Sequence, residues 1–223
     1  MQTPASVKSI VKCFLIHIHE GPTHRLPAQK RQEVYEAFGP RTDRQANCVR
    51  GWLAVITARQ VLSIFEQAIS DEDNPRKLIE MAEATLRGKL SVEDAIHEAA
   101  EGHEIAGRLW GHEDSEVSWN AYLAGTAAHR ALAEAVGIDP FKKVTWISGS
   151  DSLAQSEQSV PLDQLPDEKL AEQLGDAASA AAVAYAYDAD KLKCDPKKLL
   201  EFWRWWLKDA IPAAWNCIEA NDD

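Results

Sequence analysis

The chain has 223 residues, of which 45% are hydrophobic and 26% charged, and its formal net charge at pH 7 is −11. A chain of this length can bury a good core, and we expect a single domain over residues 1–223. The apolar runs fall far short of the ~20 residues that cross a bilayer. The four cysteines are scattered without a Cys-x-x-Cys pair, which argues against a zinc site and against a disulfide framework. This cysteine usage fits a reducing cytosol, so we expect a cytoplasmic protein.

The charge is unevenly distributed along the chain. Residues 1–60 hold nine Lys/Arg and four Asp/Glu, a net of +5, which leaves −16 for the other 163 residues. Such a surface repels nucleic acid and attracts basic partners. We expect neither a nucleic-acid partner nor a membrane partner, and the sequence leaves the oligomeric state open.

Almost every segment has helical hydrophobic spacing. Helices are predicted over residues 7–18, 27–39, 44–69, 74–88, 91–111, 115–137 and 167–189, and from Asp195 to a kink or end at Pro212. No sustained heptads occur, which argues against a coiled coil. The prediction is an all-α fold of about seven to nine helices, as a compact bundle or a short solenoid.

Residues 138–166 are the exception to the helical pattern. Val144–Ile147 fits either a short strand or a bent connector. The segment 148–166 that follows is rich in Ser, Gln and Asp and contains two prolines. A polar loop of this length is uncommon in a compact domain, and such loops are usually functional or disordered.

Four of the eight tryptophans fall within Trp203–Trp215, on a segment with helical spacing. Trp203 and Trp206 continue an apolar stripe and are predicted core residues. Trp205 points roughly opposite Trp203, among charged residues. A tryptophan in that position needs a partner, which is either another helix of this protein or another molecule.

Patterns that would indicate catalysis are weak. The sequence has no Gly-x-Ser-x-Gly elbow and no glycine-rich phosphate loop. His17 and His19 lie on a predicted helix, about 200° apart, and cannot chelate one ion together. No catalytic residue, metal site or cofactor is therefore predicted.

An acidic helix offers the one metal alternative. Asp94, His97, Glu98, Glu101 and Glu104 line one side of it. A di-iron site would need a second such helix, so a solvated acidic stripe is the favoured interpretation. The alternative is a helical metal-dependent enzyme that uses His97, Glu101 and Glu104, together with His103 or His129.

The run Glu201-Phe-Trp-Arg-Trp-Trp-Leu-Lys-Asp-Ala-Ile-Pro-Ala-Ala-Trp215 resembles the C-terminal signature of an all-α family. This is the fifth-numbered family of predicted immunity proteins of bacterial polymorphic toxin systems. The stretches Leu26–Pro40, Arg50–Glu66 and Asp73–Glu80 resemble other blocks of that family, in the same order. The segment 148–166 and the Trp146 region have no counterpart in the family.

The resemblance implies a protein that binds and neutralises a cognate toxin, and it supplies no catalytic residues that could be carried over to this chain. An acidic surface would suit a basic, nuclease-type toxin domain. A helical adaptor module remains a further alternative. The predicted contact residues are on the tryptophan helix, the acidic helix and the polar loop: Trp205, Glu98, Glu101, Asp151, Glu157 and Asp163.

Overall fold

The computed structural model describes residues 3–71, 73–97, 118–141 and 176–219. Within these ranges the chain is mostly helical. The helices are α1 (Ala5–Glu20), α2 (Ala28–Ala37), α3 (Arg44–Ala68), α4 (Asn74–Leu86), α5 (Trp119–Ala135), α6 (Ala177–Ala186), α7 (Pro196–Trp205) and α8 (Ile211–Glu219). Residues 92–97 are also helical. A π-helical turn, Trp206–Ala210, joins α7 to α8, and the strands β1 (Tyr187–Asp188) and β2 (Lys193–Cys194) form an antiparallel hairpin.

The helices form a bundle around α3 and α5. Helix α5 packs against α3, α4 and α6, and α3 also packs against α6 and the distant α8. In a solenoid each repeat would contact only its neighbours, so these long-range contacts favour a bundle. The all-α prediction is confirmed.

Polar residues fix several helix starts. Asp195 accepts a hydrogen bond from the backbone N–H of Lys197 at 2.8 Å, as the sequence predicts for the first turn of α7. Helix α5 begins after Ser118, whose Oγ accepts from the Ala121 N–H at 3.3 Å. Ser115, where the sequence predicted this helix to start, lies outside the described residues.

Small residues allow the central helices to approach closely. Nine of the ten residues of α6 are buried, and most of them are alanine. Gly51 on α3 faces both α4 and α5. A Cβ atom at this position would lie 2.6 Å from Leu86 Cδ2 and 3.1 Å from Ala135 Cα. The spacing of α3 from its two neighbours therefore depends on a residue without a side chain.

The expectation that no segment is long and apolar enough to cross a membrane was wrong for helix α3, which meets that criterion by length and composition. However, 67% of its apolar window is buried inside the protein. Its apolar side chains, including Trp52, Leu53 and Phe65, belong to the core that the other helices cover. This burial is what a central core helix of a bundle requires.

One prediction for the C-terminal half was wrong in detail. The helix predicted to reach Ala189 ends at Ala186, and the hairpin follows. Pro212 was predicted to kink or end the helix, and a π-helical turn interrupts the α-helix just before Pro212 without ending it. Pro212 has no N–H, and the turn before it widens, so that the Ile211 N–H donates to the Trp206 carbonyl and α-helical structure resumes at Ile211. The segment 148–166 and Val144–Ile147 lie outside the described residues.

Candidate partner-binding site

Helix α7 and the π-helical turn after it carry three tryptophans, Trp203, Trp205 and Trp206, and bury two of the three indole rings. Trp203 is 3% exposed and Trp206 is fully buried. Their rings meet edge to face with centroids 5.8 Å apart, and Trp206 Nε1 donates to Thr57 Oγ1 on α3 at 3.1 Å. The prediction that both tryptophans are core residues is confirmed.

Trp205 lies at the edge of this core. Its side chain is partly buried, and its ring centroid is 5.5 Å from that of Phe202. Glu201 and Arg204 beside it are exposed. The partner expected for Trp205 is therefore supplied in part by its own helix. The part of the side chain that stays exposed is open to contact by a second molecule.

The hairpin that precedes α7 is fixed to three helices. Tyr187 pairs with Cys194 in the strand register. The Tyr187 carbonyl accepts from Asn120 Nδ2 on α5 at 3.1 Å. The Asp195 N–H at the start of α7 donates to the carbonyl of Ala186, the last residue of α6, at 2.8 Å. These bonds attach both strands of the hairpin to the bundle.

A buried ion pair supports the base of this region. Arg31 on α2 donates from Nε to Asp176 Oδ2 at 2.6 Å and from Nη2 to Oδ1 at 3.2 Å. Asp176 also caps α6 by accepting from the Ser179 N–H at 3.1 Å. The Arg31 guanidinium carbon lies 5.6 Å from the centroid of the Trp203 ring. One arginine thus links α2, α6 and α7.

A buried carboxyl group lies next to this ion pair. Glu134 Oε2 accepts from the Tyr35 hydroxyl at 2.7 Å, and Oε1 accepts from the Ala177 N–H at 2.8 Å. Burial, followed by the charge of Asp176, raises the pKa of Glu134 to about 8, although its two hydrogen bonds act in the opposite direction. Burial and the nearby Glu134 carboxyl also raise the pKa of Tyr35 well above its usual value.

Perturbed pKa values of this kind are typical of active sites, so the question is whether a substrate could reach Glu134. The adjacent cleft is lined by Tyr35, Arg41, Asn47, Arg50, Glu134, Ile138 and Pro140. It has no room for a water molecule. The Arg50 guanidinium donates hydrogen bonds to the carbonyls of Tyr35 and Gly39 and to Asn47 Oδ1. This arrangement ties the end of α2 to α3 and presents no group to a substrate.

Of the six predicted contact residues, Trp205 lies in the part of the chain that the structure describes. The other five predicted contacts lie outside the described residues: Glu98, Glu101, Asp151, Glu157 and Asp163. The acidic surface proposed for partner binding therefore stays a prediction.

The metal alternative is described only in part. His97 is exposed and His129 is partly buried, while Glu101, His103 and Glu104 lie outside the described residues. Within the described ranges, no group of three His, Cys, Asp or Glu side chains is placed to hold a metal ion.

A family model described as immunity protein Imm5 matches residues 12–213, which include α2, α3 and the whole tryptophan helix. The chain belongs to the Imm5 family of immunity proteins. No curated protein matches it. Membership of the Imm5 family confirms the resemblance inferred from the tryptophan block, and it implies a toxin protein as the binding partner.

Two features of this Imm5 protein were not found from its sequence. The Arg31–Asp176 and Tyr35–Glu134 contacts join residues about a hundred positions or more apart, and local hydrophobic spacing does not report such pairs. The hairpin was not predicted, because the sequence around Ala189 was interpreted as the end of an alanine-rich helix. The turn-forming Asp188 and Asp190 were the available signal.

Proposed function

We propose that this Imm5 protein neutralises the toxin domain encoded by the neighbouring gene by binding it one to one, without catalysing a reaction. The observation that carries the proposal is the Imm5 family match over residues 12–213. An inhibitor of this kind needs a stable scaffold and a complementary surface, but no nucleophile and no metal ion.

The rigidity of the α7 region supports a binding role. Arg31, Asp176 and Trp203 hold α7 against α2 and α6 through buried contacts. Trp205 lies on this helix with its side chain only partly buried, so a partner can still cover the rest. An aromatic ring that is held in place before binding loses little conformational entropy when a partner covers it.

We further propose a basic, nuclease-type toxin domain as the partner, with both proteins meeting in the cytoplasm. The net charge of −16 beyond residue 60 supports this choice, because it would accelerate encounter with a basic partner. The acidic contacts would come from Glu98, Glu101, Asp151, Glu157 and Asp163, and Trp205 would supply the apolar contact.

Co-expression with the neighbouring toxin domain tests this function in cells. We expect cells that produce both proteins to grow, and the two proteins to co-purify from them. The control is Trp203→Ala, which removes a buried ring and should reduce protection by destabilising the scaffold. If the wild-type protein is folded but neither protects the cells nor co-purifies with the toxin domain, the proposal is wrong.

A further inference from the structure

The tip of the β1–β2 hairpin carries an exposed leucine. Leu192 is 72% exposed, the most of any large apolar side chain in the described ranges. A single exposed apolar side chain is ordinary on a protein surface. The backbone conformation of Leu192 is unusual, however, and it calls for an explanation together with the exposure of the side chain.

Leu192 has a left-handed backbone, with φ of +52°. This conformation suits glycine or asparagine and is strained for a bulky side chain. In the described ranges, one further residue that is not glycine has a positive φ: His24, at +53°. The His24 ring compensates, because its Nδ1 lies 2.8 Å from the Ile18 carbonyl oxygen. An exposed leucine side chain has no polar atom that could do the same.

The hairpin holds this leucine in a fixed position. The Lys191 N–H donates to the Asp188 carbonyl at 3.2 Å, and the Lys191 Nζ atom lies 2.5 Å from Asp188 Oδ2. The strands below pair Tyr187 with Cys194 and Asp188 with Lys193. A partner that binds Leu192 therefore meets a turn whose hydrogen bonds are already formed.

The charges on the hairpin indicate what kind of surface it fits. Two acidic and two basic side chains, Asp188, Asp190, Lys191 and Lys193, give it no net charge. Charge attraction would therefore contribute little to binding at this point. The complementary surface is an apolar pocket that accepts one leucine side chain.

We propose that Leu192 is an anchor that inserts into an apolar pocket of the cognate toxin domain. This inference rests on the proposed function, and it adds a contact outside the acidic residues and Trp205. The strained backbone and the exposed side chain are both unfavourable for the free protein. Each becomes explicable if the leucine is retained for binding.

The test uses Leu192→Gly and Leu192→Asn in the full chain, with the purified toxin domain of the neighbouring gene as the probe. Both substitutions relieve the left-handed strain, so the melting temperature should stay unchanged or rise by about 2–4 °C. Affinity for the toxin domain, measured by calorimetry, should fall at least about tenfold. The matched control is Ile16→Ala, which removes a 51% exposed side chain from the relaxed helix α1 and should change the affinity less than about twofold.

The outcomes separate this inference from the proposed function. Weaker binding at an unchanged or higher melting temperature supports the anchor. If the wild-type protein binds and both Leu192 variants bind equally well, the anchor is wrong and the proposed function stands. A lower melting temperature in both variants would also overturn it, because Leu192 would then pack on its own chain. If the folded wild-type protein does not bind the toxin domain, both proposals fail.

Discussion

Arg31 and Asp176 are 145 positions apart in the sequence, and their side chains form a buried ion pair with an Nε–Oδ2 distance of 2.6 Å. The side chains are 3% and 0% exposed. Removing one member of such a pair leaves the other charge buried and unpaired, which costs far more than the pair contributes. The bundle depends on this contact because it joins the start of α6 to α2.

The first prediction concerns this pair. Arg31→Met should lower the free energy of unfolding by about 3–5 kcal/mol, measured by chemical denaturation. Adding Asp176→Asn should recover part of the loss, because no buried charge then remains. The control is Lys30→Met, which breaks the partly exposed Lys30–Glu33 pair and should cost less than about 1 kcal/mol. Equal losses for Arg31→Met and Lys30→Met would contradict this account of the pair.

The second prediction concerns pH. The folded-state pKa of Glu134 is about 8, against an ordinary value of 4.5, so the folded protein binds the proton more tightly than the unfolded chain does. The stability that this proton contributes is complete below about pH 4.5 and is lost as the pH rises to about 8.

Glu134→Gln isolates this effect, because the amide cannot ionise. Between pH 5 and pH 8 the free energy of unfolding of the wild-type protein should fall relative to that of the variant. Above the folded-state pKa of about 8 the difference should become constant. Denaturation curves at several pH values measure it. A constant difference over the whole range would mean that the Glu134 carboxyl is already ionised in the folded protein.

The third prediction concerns helix spacing. Gly51→Ala should destabilise the fold by about 1–3 kcal/mol, because the new Cβ would meet Leu86 Cδ2 at 2.6 Å and Ala135 Cα at 3.1 Å. Gly125→Ala is the matched control on α5. Its Cβ would approach the Phe65 ring no closer than 3.3 Å, and alanine favours the helix by about 1 kcal/mol over glycine. If the Gly125 substitution is the more damaging one, the close approach at Gly51 is not what limits the spacing.

The fourth prediction concerns Trp205. Trp205→Ala should weaken toxin binding by about 2 kcal/mol or more while the protein remains folded. Some stability should be lost, because the ring packs on Phe202, but less than in Trp203→Ala, where a buried ring is removed at a cost of about 3–5 kcal/mol. Arg204→Ala, an exposed neighbour, is the binding control. Normal binding by a folded Trp205→Ala protein would remove this residue from the contact surface.

Local features of the fold could be predicted from the sequence. The bounds of α2 and α3 follow from Pro27, Gly39 and the apolar spacing between residues 44 and 69. Asp195 and Pro196 predicted the start of α7. These signals act within one or two helical turns, which is the range over which sequence spacing and capping operate.

Tertiary features could not be predicted in this way. The same apolar stripe would fit a bundle or a solenoid, and contacts such as α3 with α8 distinguish the two. The arginines Arg31 and Arg50 look like surface residues in the sequence, but both are buried because distant groups satisfy their donors. Of the candidate site, Trp205 was identified from its helical phase, whereas Leu192 is recognisable only from its backbone.

The most direct test of the central claim is a titration of the toxin domain with the purified protein, with the toxic activity measured after a long incubation. We expect the activity to fall linearly and to reach zero at one equivalent, and the toxin recovered by denaturation to be chemically unchanged. Complete loss of toxic activity at a small fraction of one equivalent, with a covalently altered toxin, would show catalysis and contradict the account.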